Sequence, residues 1–158
     1  MQDKIQLLKA ELVQQLTNLA KCKRELDTYL SRISGKHEID NFDKATIGYY
    51  LHNFYNGCED IFISIARTFE NNISKDQWHR GMLDRMTLTI EGIRPAVIDR
   101  ELHSMLDAFR GFRHVFRHCY SFELDWNREK LVLDMFPRAY GLFVASVHTF
   151  MQNLDQML

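Results

Sequence analysis

Residues 105–120 read MLDAFRGFRHVFRHCY, and the spacing in this stretch decides how the rest of the chain is read. Placed on a helix, Met105, Phe109, Phe112, Phe116 and Cys119 recur every three or four positions and form one apolar face. At about 100° per residue, Arg110, Arg113, His114, Arg117, His118 and Ser121 fall within an arc of roughly 140° on the other side. A solubilising face ordinarily mixes Glu with Lys, whereas this one uses only Arg and His. No acid lies between Asp107 and Glu123, so the stripe must meet a carboxylate from elsewhere, water or an anionic ligand. Arg offers a planar fork to phosphate oxygens and His titrates near neutrality, a pairing suited to phosphodiester chemistry. The four-residue spacing of His114 and His118 is also compatible with a metal. However, no HExxH glutamate accompanies it and the cysteines stand singly, so no metal and no cofactor is expected.

Outward from that helix, the same period runs through most of the 158 residues. Ile5, Leu8, Leu12, Leu16, Leu19, Leu26, Tyr29 and Leu30 predict one long helix from Gln2 to about Ile33, ended by Ser34-Gly35, with the glycine suited to a left-handed cap. A second helix is expected from about Asp43 to Glu70. It holds the aromatic block YYLHNFYNGCEDIF, in which Gly48 and Gly57 allow close helix approach. Ser74 to Gln77 reads as a cap for a short third helix with Trp78, Met82, Leu83 and Met86. Gly92 and Pro95 make 89–96 a loop, and the central helix then runs from about Asp99 to Tyr120. Asn127 or Asp125 caps a last helix through Leu131, Met135, Leu142, Val147, Phe150 and Leu154, which Pro137 should kink or divide. No strand pattern exceeds four residues. The expected architecture is all-α, an up-and-down bundle of four or five helices in one domain spanning 1–158, paired as a homodimer.

With 46% apolar residues, 12% aromatics, 2 prolines and 7 glycines, the composition is that of a folded helical protein. The net charge of −1 makes the basic stripe local and argues against a bulk nucleic-acid coat. Cys22, Cys58 and Cys119 lie in helical patterns and read as small buried hydrophobes of a reducing compartment. No window of 18 apolar residues occurs and the first residues hold no apolar leader core, so a cytoplasmic location with no membrane partner is expected.

Within the stripe, Arg113-His114-Val115-Phe116-Arg117-His118-Cys119-Tyr120 fits R-x4-H-x-Y. This resembles the signature of the HepT toxins, ribonucleases of the HEPN superfamily. Arg32 to His37 also fits R-x4-H, but that copy crosses a helix end and has Ile39 in place of the tyrosine. The blocks LHNFYNGCEDIF, QWHRGML, GIRPAVI and GFRHVFRHCYSFELDW look like successive blocks of HepT-like proteins, so the likeness covers about residues 43 to 130. It implies a HEPN-type bundle, a homodimer whose two motifs face each other, and RNA cleaved without a metal, DNA not being a substrate. It also implies a toxin–antitoxin pairing with a minimal nucleotidyltransferase (MNT-type) antitoxin that attaches AMP to the motif tyrosine, Tyr120. One position departs: asparagine often follows the motif arginine, where this chain has His114.

On this reading Arg113 and His118 are the catalytic pair, His118 as acid or base and Arg113 on the phosphate. Positions five apart lie roughly 140° apart on a helix, so the two straddle the stripe within one chain, and a two-fold copy brings them together. Arg110 and Arg117 are candidates for the RNA backbone, His114 supports the site, and Glu59 could orient Arg113 by a bidentate pair. His52, His79, His103 and His148 read as ordinary core or surface histidines. The alternative is a non-catalytic helical module that binds a nucleotidyltransferase, nucleotide or RNA, and loss of His118 separates the two.

Overall fold

The computed structural model describes residues 1–70 and 81–156. Among these the elements are α1 (Gln2–Ile33), α2 (Asn41–Phe69), the short α3 (Met82–Met86), α4 (Arg100–His118), a 3-10 turn (Ser121–Glu123) and α5 (Trp126–Asp155). No strand occurs among the described residues, and the chain is an all-α bundle. The expected cap at Ser74 to Gln77, together with Trp78 and His79, lies outside the described residues.

α2 is the central helix, packed by α1 on one side and by α4 and α5 on the others. Its Phe54, fully buried, is the hub of the core: ring centroids of Phe136, Phe109, Phe143 and Tyr140 lie 5.0, 5.1, 6.3 and 6.3 Å away, the first three edge-on. The glycines of α2 set how closely its neighbours approach. A Cβ on Gly57 would sit 2.4 Å from a Leu19 methyl of α1, and one on Gly48 would sit 2.7 Å from the Phe116 ring of α4. The aromatic half of the motif helix therefore rests directly on the α2 backbone.

Side-chain caps begin three of the helices. Asp40 accepts from the Asp43 amide at 2.8 Å while Asp43 reaches back to the Asp40 amide, a reciprocal capping box. Asp99 accepts from the Leu102 amide ahead of α4, and Asp125 accepts from the Asn127 amide ahead of α5, which assigns that cap to Asp125. Burial opposes ionisation of Asp43. Hydrogen bonds from Lys36, Tyr29 and the Asp40 amide outweigh it and bring the carboxyl down to about 2.

Several local expectations are corrected. Gly35 does not take the left-handed conformation, because Ser34 closes α1 in right-handed geometry, and among the described residues positive φ angles fall at Gly81 and Gly92. Of the two outcomes expected at Pro137, division does not occur, since α5 runs through it as one helix. Leu131 is exposed, since the buried face of α5 runs one position over, through Val132, Phe136, Ala139, Phe143, Val147, Phe150 and Leu154. α4 ends at His118, so Cys119 and Tyr120 are extended and Ser121 enters the 3-10 turn instead of continuing the stripe.

The segment between α3 and α4 is a built loop. Ile90 and Arg94 pair in an isolated bridge around Gly92, whose φ of 73° favours glycine. Arg94 turns inward and is fully buried. Its Nε and Nη2 meet Glu70 Oε1 at 3.1 and 2.7 Å, and its remaining donors reach the carbonyls of Leu88, Pro95 and Arg85 at 3.1 to 3.2 Å. Arg85 binds the other Glu70 oxygen, so the end of α2, α3 and the loop are tied at one carboxylate. Among the described residues no helix is long and apolar enough to cross a membrane.

Candidate functional site

The stripe of α4 divides in two. Arg113 sits at its edge nearest α2, with only 15% of its side chain exposed. Its Nη1 lies 3.0 Å from Glu59 Oε2 and 3.2 Å from Asn56 Oδ1, and its guanidinium covers the Tyr55 ring at 4.7 Å. Glu59, itself buried, therefore does reach Arg113, with a close approach of 3.0 Å. The Arg113 Nε and Nη2 donors make no hydrogen bond among the described residues. A cation held this way has a fixed position and spare donors.

Asn56 also meets His52, at 3.0 Å from Nε2. The His52 ring lies 5.4 Å from the Phe116 ring, and its Nδ1 is buried with no hydrogen-bond partner among the described residues. Burial, then the positive charges of Arg113 and Arg117, hold its pKa below the ordinary histidine value, so His52 is the uncharged neighbour of the arginine. His52, Tyr55, Asn56 and Glu59 make a polar seam on α2 that the reading of the stripe alone missed. The signal was present: in HNFYNGCE these residues stand at intervals of three, one and three, which places them on one helix face.

The other half of the stripe faces solvent. His114, Arg117 and His118 are exposed, and the two imidazole rings lie 4.7 Å apart. Arg117 makes no ion pair among the described residues. Arg110 does, with Asp107 one turn back at 2.7 Å, so the stripe is not wholly without its own acid. No hydrogen bond or ion pair among the described residues links Arg113 to His118. One chain thus presents an anchored arginine and a separate, free imidazole pair. Among the described residues no three His, Cys, Asp or Glu side chains come together as a metal cage.

Tyr120 follows the helix on extended backbone with 70% of its surface exposed, and its ring stacks on that of Phe122 at 5.3 Å and 7°. Release from the helix leaves its hydroxyl beyond the last helical turn, clear of the core. Cys119 is half-buried beneath it, and burial pushes its thiol pKa up, away from thiolate chemistry.

Comparison with curated proteins and with solved structures finds no match. Residues 46–154 match a family model, that of HepT-like proteins. The matched span runs from the first turns of α2, through the Arg113 seam and the whole motif helix, to the end of α5.

Proposed function

The chain belongs to the HepT-like family, and on that premise we propose that it is the toxin of a toxin–antitoxin pair, a metal-independent endoribonuclease of the HEPN type. The observation that carries this reading is the division of the stripe. Arg113 is clamped by Glu59, Asn56 and Tyr55, while His114, Arg117 and His118 of the same helix stand open to a ligand. A clamped guanidinium with unused donors suits electrostatic stabilisation of a phosphorane, because it reorganises little as charge develops. A solvent-facing imidazole suits proton transfer.

In the reaction, His118 takes the proton of a 2'-hydroxyl, whose oxygen attacks the adjacent phosphorus. The phosphorus–O5' bond breaks, and an imidazole of the facing copy gives its proton to the departing 5'-oxygen. The products are a 2',3'-cyclic phosphate and a 5'-hydroxyl. A homodimer supplies the second imidazole, since within one chain Arg113 and His118 serve different sides of α4. Arg117, and Arg110 after exchange of Asp107 for phosphate, hold the flanking backbone.

The partner in this reading is a minimal nucleotidyltransferase that transfers AMP to the Tyr120 hydroxyl, for which the exposure of that side chain is the support. The modification adds a negative charge and a purine beside Arg117, and it inhibits by occupying the RNA site. Expression in a host should arrest growth for the wild type and not for His118→Ala. The purified wild type should cleave RNA with EDTA present. A toxic, RNA-cleaving His118→Ala protein would remove the proposed chemistry.

A further inference from the structure

On the side of α2 away from the motif helix, α1 and α2 leave between them a groove of about 320 Å³, within the size range of small-molecule sites. Gly57 and the buried Leu19 line it where the missing side chain lets the two helices close together. Its other walls are polar: Asn18 of α1, and Asn53, Asn56 and Asp60 of α2. Asn18 and Asp60 are exposed, and Asn53 and Asn56 are half-buried, so all four can meet a ligand from solvent. At about 100° per residue around α2, Glu59 and His52 come first, on the flank toward α4, followed by Asn56, Asp60, Asn53 and finally Gly57 against α1. Asn56 therefore stands on the boundary between the Arg113 seam and the groove. Its Oδ1 accepts from Arg113 Nη1 at 3.2 Å, and the same side chain lines the groove. A phosphate on the remaining Arg113 donors has the groove one side chain away, within reach of its own nucleoside.

The charges of the groove select its ligand. No lysine or arginine lines it and Asp60 is an acid, which disfavours a phosphate. Side-chain amides carry donors and an acceptor together, the combination that nucleobase edges present. The Asn53 amide makes no hydrogen bond among the described residues, and Asp60 is in no ion pair among them, with the Arg67 charge acting on it from farther off. Asn53 and Asp60 stand two turns apart on one face, about 10 Å along the axis, with Gly57 between them. Two hydrogen bonds of about 2.9 Å leave roughly 5 Å between the bonded atoms, the span of a base edge.

We propose that this groove takes the base of the nucleotide whose phosphate lies on Arg113, with the Asn53 amide at one end of the base and the Asp60 carboxylate at the other. The assignment rests on the ribonuclease reading for RNA as the ligand and on the groove for the place and contacts of the base. Asn53 donates or accepts, so it meets any of the four bases. Asp60 only accepts, so it favours a base with a further donor to offer. Adenine, cytosine and guanine each carry an exocyclic amino group, whereas uracil has only its ring N–H. Single-stranded RNA is commonly read in this way, through the edges of splayed bases. Arg113 holds the phosphate and the groove holds its nucleoside, which together set the register of the RNA on the motif helix.

The test uses the full-length protein carrying His118→Ala, which binds without cleaving, and labelled RNA pentamers in which only the central ribose bears a base. That base is adenine, cytosine, guanine or uracil, and a fully abasic strand is the reference. Fluorescence anisotropy should place the three amino-bearing bases about fivefold tighter than the abasic strand, the low end for one specific base contact, with uracil between. Adding Asn53→Ala and Asp60→Ala together should bring every base within twofold of the abasic strand measured on the same variant. Asn56 is left in place because it also holds Arg113. If that variant fails to fold, Asn18→Trp, which fills the groove from the exposed α1 wall, must abolish the base dependence in its place. Cleavage of a mixed-sequence RNA by the wild type is scored separately. Equal binding with and without a base, no binding of any strand, or a base dependence that survives both variants overturns the assignment, and cleavage by the wild type then leaves the ribonuclease reading standing. Base-dependent binding that the variants remove, with no cleavage by the wild type, upholds the groove and removes the ribonuclease.

Discussion

Two arginines are held by glutamates, one within α2 and one at its C-cap, and the contrast between them separates structure from function. Arg94 uses all five of its N–H donors, on Glu70 and three backbone carbonyls, and has no surface left. Arg113 is bound through one nitrogen to Glu59 and Asn56, lies over Tyr55, and keeps 15% of its side chain in solvent, with no hydrogen bond from its other two nitrogens among the described residues. Both are ion pairs in sheltered surroundings, where breaking the pair leaves a charge stranded. A guanidinium with every donor spent can only hold the fold together. One anchored at a single corner is positioned yet still able to bind an anion, which is what a transition-state clamp requires.

The sharpest way to break this comparison is at Arg94. Arg94→Ala leaves three sheltered carbonyls without their donor and Glu70 with Arg85 alone, so about 3–5 kcal/mol of stability should be lost, read as a fall in the urea midpoint at unchanged slope. A normal midpoint would mean that the clamp is incidental. Arg113→Ala should show the reverse weighting: RNA cleavage is lost, while stability falls by only about 1–2 kcal/mol because Arg113 is itself part-exposed and no backbone carbonyl loses its donor. Arg113→Lys keeps the charge and loses the fork, and it should stay close to the alanine variant in cleavage. If the lysine variant were fully active, a point charge would suffice and the planar clamp would carry no weight.

His118→Ala should cost about 10²- to 10⁴-fold in cleavage, the usual span for an acid–base group, with the melting temperature unmoved since the side chain is exposed. Parallel losses in cleavage and melting temperature would assign His118 to packing.

Glu129 supplies the counter-case of a buried acid in no ion pair among the described residues, with only the more distant Lys44 charge acting on it. Its folded pKa of about 8 stands above the ordinary 4.5, so between those values the native state holds a proton that the unfolded chain releases. Native stability should therefore fall as pH rises from about 5 to 8 and level off beyond. Glu129→Gln removes that dependence and should stabilise the protein more at pH 9 than at pH 5, as followed by thermal melts at each pH. A wild-type and variant pair with parallel pH profiles would show that the carboxyl is solvated after all. The smallest effect belongs to the surface pair of Arg110 and Asp107, both about half exposed. Asp107→Asn should change stability by less than about 1 kcal/mol, and it should strengthen RNA binding slightly by freeing Arg110.

The helices were legible in the sequence because their evidence is local. The apolar period from Ile5 to Leu26 and the aspartates before α4 and α5 are nearest-neighbour chemistry, and each lies where its residues predict. Gly48 and Gly57 were readable as close contacts for the same reason, since a missing side chain in a good helix needs a packing partner. Where local rules competed, they failed. Nothing in the period of α4 says that its last turn stops at His118, and Leu131 differs from Val132 only by one step around α5.

The sequence by itself determined that one helix carries an apolar face and an Arg/His face, and that the chain folds as helices around them. Periodicity supplies an angle about a helix axis, and an angle is enough for that. Only the tertiary structure decided which arginine is clamped. Arg113, Arg117 and Arg110 stand within a narrow arc, and what separates them is a seam of His52, Asn56 and Glu59 more than fifty residues earlier in the chain. Glu129 follows the same logic: in the first turn of a helix it reads as an acid complementing the dipole, and packing against its neighbours turns it into a fully buried carboxyl with no ion pair among the described residues. Neighbours that come from distant segments are set by how helices pack, and no window of sequence contains them.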